Sequence, residues 1–219
     1  MGKLSYFWYP YLLPVLFLLS GCSLTILPNQ YEGCKFRAYI NNPFVDYVSS
    51  RFEKDNVPRV AIIPFDVPEN FSPPFNPNLR FGHRLAQSLQ EGFLARGESM
   101  IIEVFNRDWP GKRIDFSAGN FQAIRQARDA GYDFVVVGLM EEFTNDLKMR
   151  VHTKVIDTDN SITVWYGTTD VTSNARSSRK FLNIGSKGLY PMRDDLYEIE
   201  PRIDRFSECT AAEIFKSPY

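Results

Sequence analysis

Histidine and cysteine are scarce in this chain of 219 residues, with two of the first and three of the second. His83 and His152 lie far apart, and no CxxC or paired-imidazole spacing accompanies Cys22, Cys34 and Cys209, so no metal site is expected. No GxSxG elbow, HExxH helix or glycine-rich phosphate loop occurs. Glu141 and Glu142 are adjacent on a strand-like stretch, so their side chains point to opposite faces and cannot share one site. The reading is therefore non-enzymatic, with no cofactor. A formal charge of −1 lacks the basic excess of a nucleic-acid binder. Internal repeats and low-complexity tracts are also missing. The uncharged stretch from Leu4 to Gly21 is broken by Pro10 and Pro14. A spanning helix needs roughly 20 apolar residues, and each proline removes a backbone donor.

What that stretch does have is the layout of a signal peptide. Lys3 supplies a positive start, Tyr11 to Leu19 a short apolar core, and Ser20-Gly21 the small residues at a cut. Leu19-Ser20-Gly21-Cys22 resembles a bacterial lipobox, the alternative being an uncleaved anchor that contains a cysteine. The resemblance implies a signal peptide over 1–21 and lipid (palmitate-type acyl chains) on Cys22. Each buried methylene adds about 0.8 kcal/mol, so two or three chains anchor durably where one does not. Ser23 is not the Asp that holds such lipoproteins at the inner membrane, which implies the outer membrane and its periplasmic face.

With Cys22 assigned to lipid, Cys34 and Cys209 form an even pair. In an oxidising periplasm they either bridge or remain two buried thiols. A bridge would staple the amino-terminal segment to the tail.

Residues 22–57 read as a tether and lead-in, with Phe44 to Phe52 at helical spacing. The α/β domain runs over 58–173. Val60 to Ile63 is a continuous apolar run, as in a strand buried on both faces. A proline-rich loop follows. Gly82 to Arg96 predicts a helix, Ile101 to Phe105 a strand, 106–119 a loop, Asn120 to Ala130 a helix and Asp133 to Phe143 a strand. Leu147 to Val155 alternates apolar and polar residues, and Asp157 to Ser161 turns into a return strand ending at Thr172. The expected class is α/β: a mixed sheet in β-α-β-α-β-β-β order with helices packed on one face. Residues 174–219 read as an irregular carboxy-terminal extension.

Four stretches carry a resemblance: Val60-Ala-Ile-Ile-Pro-Phe65, Gly82-His-Arg-Leu-Ala-Gln-Ser-Leu89, Ala127-Arg-Asp-Ala-Gly-Tyr-Asp-Phe-Val-Val-Val-Gly138 and Val155-Ile-Asp-Thr-Asp-Asn-Ser-Ile-Thr-Val-Trp165. They resemble a family of bacterial envelope domains that includes the amino-terminal domain of TolB, the curli and Pel export lipoproteins, activators of penicillin-binding proteins and a flagellar ring domain. That resemblance implies an anticodon-binding-domain-like fold whose members bind proteins rather than RNA. It also implies a structural or assembly lipoprotein of an envelope machine, homo-oligomeric, in secretion, export or a flagellar ring. The alternative it implies is a lipoprotein that binds and activates a peptidoglycan synthase. The long amphipathic insertion of a pore-former is missing. About 35 residues between Cys22 and the first expected strand, at roughly 3.3–3.6 Å each, limit reach and favour the ring.

Two surfaces are candidate partner sites. Alternation places Lys148, Arg150, His152 and Lys154 on one strand face, either as a solvated face or as a docking stripe for an acidic surface, a neighbouring subunit or peptidoglycan. Arg176, Arg179 and Lys180 would extend it. The proline-rich loop carrying Phe71 and Phe75 is the other, either folded on its own domain or presented to a partner.

Overall fold

In a computed structural model of the chain, the described residues are 33–52, 56–68, 81–97, 99–107, 109, 111–141, 148–172 and 194–216. Cys22, Phe71, Phe75, Arg176, Arg179 and Lys180 lie outside them. The elements run β1 (Cys34–Asn41), α1 (Phe44–Arg51), β2 (Arg59–Ile62), α2 (Phe81–Leu94), β3 (Ile101–Val104), α3 (Lys112–Ala118), α4 (Phe121–Asp129), β4 (Phe134–Met140), β5 (Lys148–Asp157), β6 (Thr163–Thr172) and α5 (Asp194–Ile214). The strands form one mixed sheet in the order β1-β6-β5-β4-β2-β3. β2 is parallel to both β3 and β4, and β4, β5, β6 and β1 form an antiparallel succession. The α/β class and mixed sheet match the expectation.

The helices do not share one face. Val60 and Ile62 of β2, with Phe134 and Val136 of β4, pack under α1, α2 and α5. Ala61, Ile63, Val135 and Val137 pack under α3 and α4 on the opposite side. The physical reason is the continuous apolar run in β2 and β4: consecutive strand residues alternate faces, so both faces need cover. α3 arises inside the expected loop 106–119. Its buried Asp115 accepts hydrogen bonds from Trp109 Nε1 (2.9 Å) and from the backbone N–H groups of Gln122 and Ala123 (each 3.2 Å), tying α3 to the start of α4.

The domain also extends past both expected boundaries. β1, placed in the lead-in, pairs along β6, and the expected helix near Phe44 is α1. Phe44 is fully buried and meets Phe134 edge-on at 5.2 Å between ring centres. The expected irregular tail contains α5. Ile203, Phe206, Thr210 and Ile214 recur at helical spacing and are buried. A proline inside a helix costs about 3 kcal/mol, whereas burying one large apolar side chain gains about 1.5–3 kcal/mol. Several such side chains in α5 therefore outweigh Pro201. Small residues let α2 and α5 approach: a Cβ added at Gly92 would lie 3.1 Å from the Ala211 Cβ, and Ser207 Oγ donates to the Ser88 carbonyl at 2.7 Å. Cys34 of β1 is disulfide-bonded to Cys209 of α5, across 175 residues of chain. Among the described residues no helix is long and apolar enough to cross a membrane.

Candidate functional site

On β5 the polar–apolar alternation has the expected register. Met149, Val151, Thr153 and Val155 are buried beneath α5 and its neighbours, and Lys148, Arg150, His152 and Lys154 point to the other face. α3 and α4 cover β2 and β4 on that face. Further along the sheet, side chains of β5, β6 and β1 line an open pocket of about 440 Å³. Arg150 and His152 come from β5, Thr168 and Asp170 from β6, and Lys35, Arg37 and Tyr39 from β1, with Glu141 just past the end of β4. The register explains the grouping: Arg150 stands opposite Asp170 and His152 opposite Thr168, while Lys35 and Arg37 stand opposite Asp170 and Thr168 on the other side of β6.

The basic row is not a line of free charges. Arg150 donates to both Asp170 oxygens (2.6 and 3.1 Å) and, through its third nitrogen, to Glu141 (3.3 Å). Lys148 pairs with Asp170 at 2.6 Å. His152 Nε2 lies 2.6 Å from Glu141 Oε1, and Nδ1 lies 3.0 Å from Thr168 Oγ1. Lys154 lies against α3: its ammonium donates to the Phe116 carbonyl at 2.7 Å and sits 4.0 Å from the Phe116 ring centre. Burial pushes the Lys154 amine down from its ordinary value, partly opposed by Asp115. The Asp170 hydrogen bonds hold Arg150 above its ordinary range against the cost of burial. The floor formed by Lys148, Arg150, Asp170 and Glu141 is thus ion-paired, each of these groups fixing the geometry of another.

Lys148 and Arg150 balance Asp170 and Glu141. Lys35 and Arg37 are different: both are exposed and, among the described residues, neither has a carboxylate partner. The sequence pattern singles out the β5 row and sets Glu141 aside as half of a carboxylate pair that cannot share a site, and it leaves Asp170, Lys35, Arg37, Tyr39 and Thr168 unmarked. The signal for β1 was present in the alternation of Cys34, Phe36, Ala38 and Ile40 with Lys35, Arg37 and Tyr39. His83 lies on α2, away from these residues in the fold. In the hairpin turn Asp157 accepts from the Asp159 and Asn160 backbone N–H groups at 2.9 and 3.0 Å, whereas the Asp159 carboxylate pairs with Arg51 of α1 at 2.6 Å. Asp157 also accepts from Tyr47 Oη at 2.7 Å and pairs with Arg51, fixing α1 to the hairpin.

The Asp170 linkage gives a pH prediction. Burial pushes its carboxyl up, but Arg150 and Lys148 together pull it below the ordinary value of 3.8. A depressed folded-state pKa contributes stability above the unfolded value, which is lost as pH falls through the folded one. Asp170→Asn should therefore lower the urea midpoint at neutral pH and remove part of the acid-induced loss seen below about pH 4 in wild type. Urea melts of both proteins across that range measure it, and parallel acid profiles would contradict it.

No protein-family model and no curated protein sequence matches the chain. Among solved structures it is similar to the PelC dodecamer from Paraburkholderia phytofirmans, at 14% identity and a TM-score of 0.47 over 84% of this chain and 99% of that one. It is similar to TolB from Acinetobacter baumannii, at 14% identity and 0.37 over 65% of this chain and 27% of that one. It is also similar to the LpoB C-terminal domain from Salmonella enterica, at 12% identity and 0.34 over 60% and 93%. None of these scores reaches 0.5, and no role is carried over from them.

Proposed function

We propose that the chain is a lipid-anchored protein of the bacterial envelope, held at the outer membrane by Cys22, whose α/β domain docks other subunits of a multiprotein assembly. Its role is architectural rather than catalytic. The observation that carries this reading is the division of labour among three cysteines. Cys22 ends a lipobox-like stretch, while Cys34 and Cys209 are bonded to each other. Disulfides persist in exported proteins and are rare in the cytosol, so the lipid signal and the bridge point to the same compartment. The ion-paired floor supports docking, because Lys148, Arg150, Asp170 and Glu141 hold one another in fixed positions.

A second reading, activation of a peptidoglycan synthase, requires reach. The described domain begins at Gly33, which leaves about ten residues after Cys22; at roughly 3.3–3.6 Å per residue they extend less than about 40 Å. That length supports assembly close to the membrane. Cys22→Ala should abolish labelling by radioactive palmitate and leave full-length precursor at the inner membrane. Normal outer-membrane fractionation of the variant would defeat the anchor. Light scattering of the wild type in detergent separates the two roles: a large oligomer fits the assembly, and a monomer fits the regulator.

A further inference from the structure

We propose that the outer edge of β1, together with the pocket beside it, receives an extended acidic segment of a partner protein as an added strand. This rests on the docking role above and names the chemistry of its partner. Three observations converge. First, β1 is the terminal strand of the sheet, and among the described residues it pairs only with β6. The outer side of such a strand presents backbone N–H and C=O groups that an incoming strand satisfies. Second, Lys35 and Arg37 are two residues apart and line the same pocket, so both stand on one face of that edge. Side chains directly opposite each other across paired strands lie about 4.5–5.5 Å apart at Cβ. An added strand with acidic residues at alternate positions therefore sets a carboxylate against each cation.

Third, the floor behind them already has its charges matched: Asp170 is held by Arg150 and Lys148, and Glu141 by Arg150 and His152. Among the described residues, Lys35 and Arg37 are thus the charges of the pocket without an opposite partner, and they select the sign of the occupant. The same charges oppose pairing of β1 with a second β1, since like charges directly opposite are destabilising. Tyr39 follows on the same face and also lines the pocket. Its ring packs on Tyr166 at 4.7 Å between centres, and its hydroxyl lies 3.3 Å from Thr168 Oγ1. It sits at the register irregularity between Ala38 and Ile40, which bounds the regular edge available to a partner.

The test uses the full chain, purified from envelopes in detergent, and a fluorescent peptide alternating glutamate with valine. Controls are the same peptide with lysine for glutamate, one N-methylated on the backbone amides of alternate residues, and polygalacturonate as a polyanion without a peptide backbone. The glutamate peptide should bind, more weakly as salt rises, while the lysine and N-methylated peptides should not. Lys35→Gln/Arg37→Gln should weaken binding at least about tenfold (1.4 kcal/mol) with an unchanged melting temperature, and Arg37→Lys should retain most of it. Failure of the glutamate peptide to bind overturns the proposal. So does equal binding of the N-methylated peptide, or competition by polygalacturonate as strong as by the peptide, since either makes the site a reader of charge alone. If crosslinked envelopes still yield a high-mass complex while the peptide does not bind, the added strand is wrong and the docking role stands. If the peptide binds but no complex exists, the docking role fails instead.

Discussion

Reducing the Cys34–Cys209 bond should lower the melting temperature by roughly 5–20 °C. The bond closes a loop of 175 residues, and removing such a bridge costs on the order of 2–5 kcal/mol. For a domain of this size each kcal/mol shifts the midpoint by about 2–4 °C. Cys34→Ser and Cys209→Ser should each reproduce the loss. Cys209→Ser should be the worse of the two, because Cys209 is only 3% exposed and the new hydroxyl needs a buried partner. Thermal melts with and without reductant, beside alkylation of protein taken from the envelope, provide the measurement. Identical melts and two freely alkylated thiols would remove the staple.

Gly82→Ala should destabilise the domain by about 3 kcal/mol, near the upper end of the cost of overpacking. Gly82 lies at the start of α2, against the chain just past the end of β2. A Cβ built there would stand 2.0 Å from the backbone carbonyl oxygen of Phe65. The Phe65 N–H also donates to the Gly82 carbonyl at 2.9 Å, so the two backbones are bonded to each other and neither is free to retreat. Relieving the overlap lifts α2 from the sheet and loosens Leu85, Leu89 and Phe93, all at most 1% exposed. Urea denaturation should show a lowered midpoint. Ordinarily Gly→Ala inside a helix stabilises by about 1 kcal/mol through propensity, so a variant as stable as wild type would mean that the helix does not approach so closely.

The central elements were legible because their signals are local. The apolar runs of β2 and β4, the spacing in α2 and α4, and the alternation in β5 each name an element from its own residues. Their pairing gave the mixed sheet, but the number of covered faces did not follow from them singly. It required reading Val60-Ala-Ile-Ile63 as a demand for helices on both sides. β1 was obscured because half its residues are polar and it sits at an exposed edge, although Phe36 still packs on Trp165 at 5.5 Å between ring centres. α5 was obscured by Pro201 and by Ser207, Cys209 and Thr210, which weaken its apolar stripe. Thr210 is in fact buried and bonded to Thr169 at 2.8 Å, a role for a polar core residue that only the partner strand reveals. The same holds for the site. Lys148 and Arg150 advertised positive charge, but it is balanced by Glu141 past the end of β4 and by Asp170, 20 residues beyond Arg150 on the neighbouring strand.

The bond between β1 and α5 also decides how the domain carries a load. Were the chain anchored at Cys22 as proposed, any pull would enter the described domain at Gly33 and then Cys34, the first residue of β1. An edge strand pulled from one end peels, because its hydrogen bonds to the neighbour break one after another instead of together. Here the first residue is covalently clamped to Cys209. The pull therefore passes into α5, whose Ile203, Phe206 and Ile214 are seated in the main core, and the whole core must yield before β1 unzips. With the thiols reduced the same force should strip β1 at a much lower tension, and with it the surface that Lys35 and Arg37 present.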